Sequence, residues 1–210
     1  TMGNKSGLAF MAVGGLLLAA ALGLTAYNIQ DGNRAAEEVA HAATELRART
    51  DEIAQVEVPD FVIPAYEIDP RVEMPVVEIE GRGYVGSVSL PAQGLELPVI
   101  DECTDANMKT APCRYYGSAY MNNLVIAAHN YTNHFGRLGS VAVGDPVEFT
   151  DVDGNRFRYT VTDLEQLLPG QTVDMVGYSE DWDLTLFTCT ISGRQRLTVR
   201  CSLVEEEPPA

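Results

Sequence analysis

Three side chains in the second half of the chain could together carry out nucleophilic chemistry. Cys189 ends one apolar run, His129 directly follows another, and Arg196 opens the segment after Cys189. A cysteine thiol, with an ordinary pKa of about 8.5, needs a nearby base or cation to become a thiolate nucleophile. Acyl transfer also needs a proton donor for the leaving group and a hydrogen-bond donor for the developing oxyanion. Cysteine, histidine and arginine can fill these roles, so the three residues form the candidate active site.

Two of these assignments have rivals in the sequence. Arg194 and Arg200 share the parity of Arg196 on a regular strand, so strand alternation alone does not choose among the three arginines. His134 lies in the polar loop after His129 and is the alternative acid/base.

The elements that position these residues are predicted to be short strands. From Val76 onward, apolar runs are broken by turn residues at 76–80, 84–90, 95–100, 123–128, 146–150, 156–163, 183–190 and 195–203. Asp153-Gly154 and Ser192-Gly193 separate adjacent runs and predict two β-hairpins. Eight strands at this spacing predict an all-β, closed or nearly closed barrel, with room for a short helix near 136–140 or 171–176.

The segment Leu8–Tyr27 is apolar and carries no charge. Twenty helical residues span about 30 Å, the thickness of a bilayer core, so we predict a retained transmembrane anchor. Lys5 precedes the segment and acidic residues follow it, which favours a cytoplasmic N-terminus and an extracytoplasmic remainder. The alternatives are a cleaved signal peptide, for which Leu24-Thr25-Ala26 is a poor site, and a buried soluble helix.

Two further segments connect this anchor to the strands. Residues 34–56 are rich in Ala, Glu and Arg and predict a self-standing helical stalk. The segment after this stalk has evenly spaced prolines and is predicted to be an extended tether; the prolines are Pro59, Pro64, Pro70 and Pro75. The expected organisation is a cytoplasmic stub and anchor at 1–30, stalk and tether at 31–76, a barrel at 77–204 and an acidic tail at 205–210.

The composition excludes some classes of function. Fourteen basic against 30 acidic residues give a net charge of −16, which provides no electrostatic attraction to nucleic-acid phosphates. We expect no zinc site, because no CxxC occurs and only His129 and His134 lie outside the stalk. A cluster of acids near one turn lacks EF-hand order and is expected to be solvated rather than to bind calcium; its members are Asp145, Glu148, Asp151 and Asp153.

The four cysteines are predicted to differ in whether they form disulfides. In an extracytoplasmic domain, Cys103 and Cys113 are a candidate disulfide, with two free thiols as the alternative. In the last hairpin, Cys189 is predicted to face about Leu197 and Cys201 to face about Thr185. That places Cys189 and Cys201 about 13 Å apart, too far for a disulfide, so Cys189 remains a free thiol.

The chain resembles the sortases of Gram-positive bacteria in three places. Thr185–Cys189, with sequence TLFTC and followed by Arg196, resembles the sortase TLxTC signature. Ala128-His129-Asn130, followed by Phe135 and Leu138, is similar to the sortase histidine region. A third set of residues is similar to the start of the sortase barrel: Gly86, Leu90-Pro91 and Leu97-Pro98-Val99.

This resemblance implies an eight-stranded sortase barrel and assigns the site residues. Cys189 would be the nucleophile, His129 the general acid/base and Arg196 the oxyanion or substrate-positioning residue. Thr188 and Asn130, beside the nucleophile and the histidine, would serve substrate binding. No cofactor is implied.

The resemblance also implies a reaction and its partners. The enzyme would cleave an LPxTG-like sorting signal of a surface or pilin protein through a thioacyl intermediate, and join it to an amine of the cell wall or of another protein. The alternatives are a cysteine hydrolase of cell-wall peptides and a non-enzymatic surface β-domain in which Cys189 is a core residue. Asp69-Pro70 is similar to the lid motif of some sortases, with Arg71 where the aromatic residue would stand, and the plain tether is the other interpretation.

Overall fold

The computed structural model describes residues 3–55, 63–177, 182–190 and 192–204. The helices are α1 (Gly3–Gln55), α2 (Ala65–Ile68), α3 (Asp105–Thr110) and α4 (Thr172–Val176). The strands are β1 (Val77–Ile79), β2 (Arg82–Leu90), β3 (Leu95–Ile100), β4 (Cys113–Tyr116), β5 (Leu124–Ala128), β6 (Pro146–Asp151), β7 (Arg156–Leu167), β8 (Leu184–Cys189) and β9 (Arg196–Leu203). Three short 3₁₀ turns span Pro91–Gln93, Ala119–Met121 and Phe135–Ser140.

The strands form a closed barrel. Their order is β1-β2-β3-β4-β5-β8-β9-β7-β6, and β6 also pairs with β2, which closes β2–β9 into eight strands. The predicted eight-stranded barrel is therefore confirmed, although its membership differs from the prediction. Segment 76–80 forms the short additional strand β1, and the prediction missed β4. Strand β4 has only four residues, two of them exposed, so it gives no apolar run in the sequence.

Barrel closure depends on a glycine in β2. Gly86 pairs with Val99 of β3 on one side and with Asp151 of β6 on the other. A Cβ atom at position 86 would lie 2.1 Å from the carbonyl oxygen of Thr150. Any side chain there would force β2 and β6 apart, so glycine permits the close approach that closes the sheet.

Strands β5 and β8 lie side by side in parallel and are buried on both faces. In β5, the even-numbered residues belong to the main core, while Val125 and Ala127 belong to a second apolar cluster with Leu167, Met175 and Phe187. Burial on both faces explains the continuous apolar run of β5. Alternation then places His129 and Cys189, each two residues after a member of the second cluster, on the outer face of the barrel.

The second half of α1 packs against the barrel. Its buried side chains lie on one helical face and are Ala35, Val39, Ala42 and Leu46. Arg47 pairs with Glu96, and Arg82 lies 3.6 Å from Glu38. The prediction of a self-standing stalk is therefore wrong. This helical face is apolar, and its two alanines are small, so the helix can pack against the barrel.

The first half of α1 is exposed along its apolar side chains, with Phe10 78% and Leu17 64% accessible. This part of the helix is long and apolar enough to cross a membrane.

The proline-rich segment docks onto the barrel where the structure describes it. Tyr66 of α2 stacks on Tyr120 at 4.6 Å between ring centroids, and Met74 is buried. The extended-tether prediction is wrong for this part, because these side chains bury apolar surface; Pro59 lies outside the described residues. Asp69-Pro70 borders a cavity with Tyr120, at the start of β5 and away from His129 at its end. It does not cover the candidate active site.

Candidate active site

The strand register brings the predicted trio together at one end of the barrel. Parallel pairing of β5 with β8 sets Ala128 beside Thr188, and antiparallel pairing of β8 with β9 sets Cys189 beside Arg196. Adjacent strands lie about 4.8 Å apart. His129, which directly follows β5, therefore lies on one side of Cys189, and Arg196 of β9 lies on the other.

The register of the last hairpin differs by one residue from the prediction. Cys189 is paired with Arg196 rather than Leu197, and Cys201 with Leu184 rather than Thr185. The Thr190 N–H donates to the Gln195 carbonyl at 2.9 Å, so the loop is centred between Ser192 and Gly193. Directly paired residues project from the same face, so this register places Arg196 on the face of Cys189.

The guanidinium of Arg200 is buried and fully engaged in contacts within the fold. Its side chain is 1% exposed, and its guanidinium donates to Glu165 at 2.7 Å and to Thr185 Oγ1 at 2.8 Å. It also lies 4.4 Å from the ring centroid of Trp182. These contacts occupy the guanidinium and remove Arg200 from the rivals for the active site.

The other two arginines differ in placement. Arg194 is exposed in the turn before β9. Arg196 is half-buried, and among the described residues its guanidinium makes one long hydrogen bond, 3.5 Å to the Gln195 carbonyl. Arg196 is thus the arginine that lies beside Cys189 with its donors available.

Thr188 fixes the spacing between the strands that carry the candidates Cys189 and His129. It is buried, and its Oγ1 donates to the Ala128 carbonyl oxygen at 2.8 Å. This bond joins β8 to β5 at the residues immediately before Cys189 and His129. The geometry gives Thr188 a positioning contact; substrate binding by Thr188 stays a prediction.

His129 is half-buried, and its pKa is lowered from the ordinary histidine value. Burial is the main cause, since it disfavours the charged imidazolium, and the positive charge of Lys109 acts in the same direction. Asp105 and Asp31 oppose this shift. The neutral imidazole is favoured before substrate binds, so it can accept a proton and then return it.

The loop after His129 folds back tightly. The Phe135 N–H donates to the His129 carbonyl at 3.3 Å, and the Phe135 side chain is fully buried. A Cβ atom at Gly136 would lie 2.6 Å from the carbonyl oxygens of Asn130 and Tyr131. Glycine at this position allows the loop to close against itself, which anchors the backbone of His129.

The two remaining candidate residues of this loop have opposite exposures. His134 is fully buried, and burial together with the neighbouring His129 lowers its pKa to about 4. It is neutral near pH 7 and inaccessible to substrate, which rejects it as the acid/base. Asn130 is exposed and lines a crevice with Tyr131 and Arg137 against α1.

Residues 88–204, more than half of the chain, match the sortase domain. The chain belongs to the sortase family. Sortase A of Bacillus anthracis is 25% identical over 122 residues, which cover 56% of this chain and 57% of that protein.

Two solved sortase structures share the fold. A Clostridium perfringens sortase D5 transpeptidase aligns with a TM-score of 0.59 and 16% identity, covering 80% of this chain and 99% of that chain. Sortase A from Corynebacterium diphtheriae aligns with a TM-score of 0.54 and 19% identity, covering 91% and 98%.

The outer face of this sortase barrel carries a buried apolar layer next to the row His129–Cys189–Arg196. It consists of the second cluster, in which Ala127 and Phe187 precede His129 and Cys189 by two residues. Tyr115 of β4 meets the Phe187 ring edge-on at 5.1 Å. Sequence reasoning did not find Tyr115 or Met175 as neighbours of the site, because they come from a missed strand and from the short helix α4.

The other cysteines of the sortase domain are free thiols in this structure. Cys103 and Cys113 contact each other directly, which lowers the pKa of Cys103 and raises that of Cys113. The disulfide between them stays a prediction.

The acids near the β6–β7 turn serve the fold. Asp151 is buried and accepts hydrogen bonds from the Tyr120 hydroxyl at 2.6 Å and from Asn155 Nδ2 at 2.7 Å, so the prediction of a solvated acid is wrong there. Asp145 accepts from the Ala142 N–H at 3.0 Å. In the described ranges, no three His, Cys, Asp or Glu residues group as metal ligands.

Proposed function

We propose that this chain is a membrane-anchored cysteine transpeptidase that cleaves LPxTG-like sorting signals. The observation that carries the proposal is the row His129–Cys189–Arg196 across three adjacent strands of a chain that belongs to the sortase family. Cys189 is half-exposed beside these two side chains, which favours a reactive thiol over the core cysteine of a non-enzymatic β-domain.

In the first half-reaction, His129 accepts the proton of the Cys189 thiol, the thiolate attacks the carbonyl carbon of the threonine in the signal, and a carbon–sulfur bond forms. The guanidinium of Arg196 donates to the oxyanion that develops. The carbon–nitrogen bond then breaks, and His129 gives its proton to the departing amine, which leaves a thioacyl enzyme.

In the second half-reaction, an amine of the cell wall or of another surface protein attacks the thioester. His129 accepts the proton of that amine, the new amide forms and the carbon–sulfur bond breaks. Thr188 supports both steps by keeping the strands of Cys189 and His129 at a fixed spacing.

The surroundings of the row suit this substrate class. Exposed Asn130, directly after His129, offers amide hydrogen bonds to a peptide substrate. The exposed apolar half of α1 supports single-pass anchoring with the barrel outside the cell.

The test uses the full chain in detergent micelles, as wild type and as Cys189→Ala. Each is mixed with LPxTG-like peptides and triglycine, and the products are identified by mass spectrometry. We expect a triglycine-ligated product from wild type and none from Cys189→Ala. Cleavage without ligation would favour the hydrolase, and equal product from both proteins would overturn the proposal.

A further inference from the structure

The loop that carries the catalytic histidine contacts α1 next to its apolar segment. The Tyr131 hydroxyl donates to Asp31 Oδ2 at 2.7 Å, and Asn133 Nδ2 donates to the Gly32 carbonyl at 3.1 Å. Asp31 lies four residues after Tyr27, the end of the apolar segment, which is about 6 Å along a helix. The His129 ring lies 5.2 Å from the Tyr131 ring, so the catalytic end of the barrel adjoins this part of α1.

The opposite end of the barrel contacts the far end of α1. Arg49 Nε donates to the Val152 carbonyl at 3.1 Å, and its guanidinium lies 3.8 Å from Asp153. This β6–β7 turn lies at the end of the barrel away from Cys189, since β7 runs antiparallel to β9 and β9 antiparallel to β8. Between Asp31 and Arg49, the helix rises by about 27 Å.

The contacts between these ends hold the barrel in one orientation. Four α1 side chains are buried between Asp31 and Arg49, and Arg82 and Glu96 of the barrel pair with Glu38 and Arg47 of the helix. Because α1 is one helix from Gly3 to Gln55, position along it measures height above the apolar segment.

We infer that α1 docks the barrel with its catalytic end against the lipid surface, so that the active site meets substrates carried by that surface. This inference rests on the membrane anchoring in the proposed function. In this arrangement the loop 130–133 contacts the bilayer, and the β6–β7 turn does not.

The test measures depth without relying on catalysis. The full chain, with Cys189→Ala and Cys103→Ser, carries one fluorophore on Thr132→Cys or on Asp153→Cys and is reconstituted in phosphatidylcholine vesicles. Both positions are exposed turns, and a water-soluble nitroxide serves as the control for equal accessibility.

Lipids with a nitroxide on the headgroup should quench the label at 132 several-fold more than the label at 153. Equal quenching, or stronger quenching at 153, would overturn the inference. Co-flotation of the chain with vesicles reports anchoring separately, so loss of flotation would count against the proposed function instead.

Discussion

Arg196 and Arg200 lie on the same face of β9 but have different surroundings, and substitution should separate them. Arg196→Ala is expected to fold normally and to lose a factor of about 10²–10³ in kcat/KM, because it removes a donor to the oxyanion. Arg200→Ala should lower the free energy of unfolding by about 3 kcal/mol, because it leaves a buried network unpaired. Arg194→Ala should change neither quantity, and denaturant titration with peptide kinetics measures both.

A folded Arg196→Ala protein with near-full activity would contradict the assignment of the oxyanion donor. Strand parity could not separate these arginines, because it is the same for all three, and in the sequence only the resemblance to sortases chose Arg196. The distinction comes from the contacts of Arg200 with Glu165 and Thr185, which tertiary packing creates.

Buried His134 predicts a pH dependence of stability. Its pKa is about 4 in the folded chain, below the ordinary 6.5, so the unfolded chain binds the proton more readily between these values. The contribution of neutral His134 to the free energy of unfolding is fully present above pH 6.5. It falls by about 3 kcal/mol as the pH drops to 4. In His134→Phe this contribution should disappear, and a wild-type pH dependence in that variant would refute it; urea titrations at several pH values provide the measurement.

Among the helices, α3 is expected to tune the pKa of His129, the proposed acid/base. Lys109 lowers the pKa of His129 and Asp105 raises it. Lys109→Met should therefore move the acid limb of kcat/KM to higher pH, and Asp105→Asn should move it to lower pH. Shifts in the same direction, or none, would show that α3 does not act on His129.

Cys103 and Cys113 enclose α3, and their disulfide remains our proposal. Oxidation by a small-molecule disulfide would join the two sulfurs and release two thiols of the oxidant. Closing a loop of this length should stabilise the fold by about 2–3 kcal/mol. Intact mass and unfolding curves of wild type and Cys113→Ala, with and without oxidant, test this; stabilisation of Cys113→Ala by the oxidant would argue against it.

Most strands were predictable because their apolar runs and the Asp153-Gly154 and Ser192-Gly193 turns are local signals. Strand β4 was not, because its four residues do not alternate and it is held by pairing with β5 and with Ile100 of β3. The one-residue shift of the last hairpin was also hidden, since the loop closes through Thr190 and Gln195.

For the molecule as a whole, the proposed anchoring makes α1 the element that sets the height of the candidate active site above the membrane. Eleven helix-forming residues inserted after Tyr27 would add three turns, keep the docking face and raise the barrel by about 16 Å. Ligation to a membrane-anchored acceptor should fall several-fold, while cleavage of a soluble peptide should be unchanged. Vesicle-based and soluble assays of the same protein provide the comparison, and equal loss in both would point to damage of the barrel.

Docking of α1 was the main feature that sequence did not reveal. Its contact stripe is half alanine, so its apolar periodicity is weak, and its polar partners, such as Tyr131 and Glu96, lie far away in the chain. The juxtaposition of the candidate trio was predictable, because the TLFTC segment and the histidine region each lie at the end of a clear strand.

The most direct test is the intact mass of the full chain after brief exposure to an uncleaved LPxTG-like peptide, followed by mapping of any modified residue. We expect a thioester-linked peptide fragment on Cys189 that hydroxylamine removes and that Cys189→Ala never acquires. Peptide cleavage that proceeds equally in Cys189→Ala, without an adduct on the wild-type thiol, would contradict it.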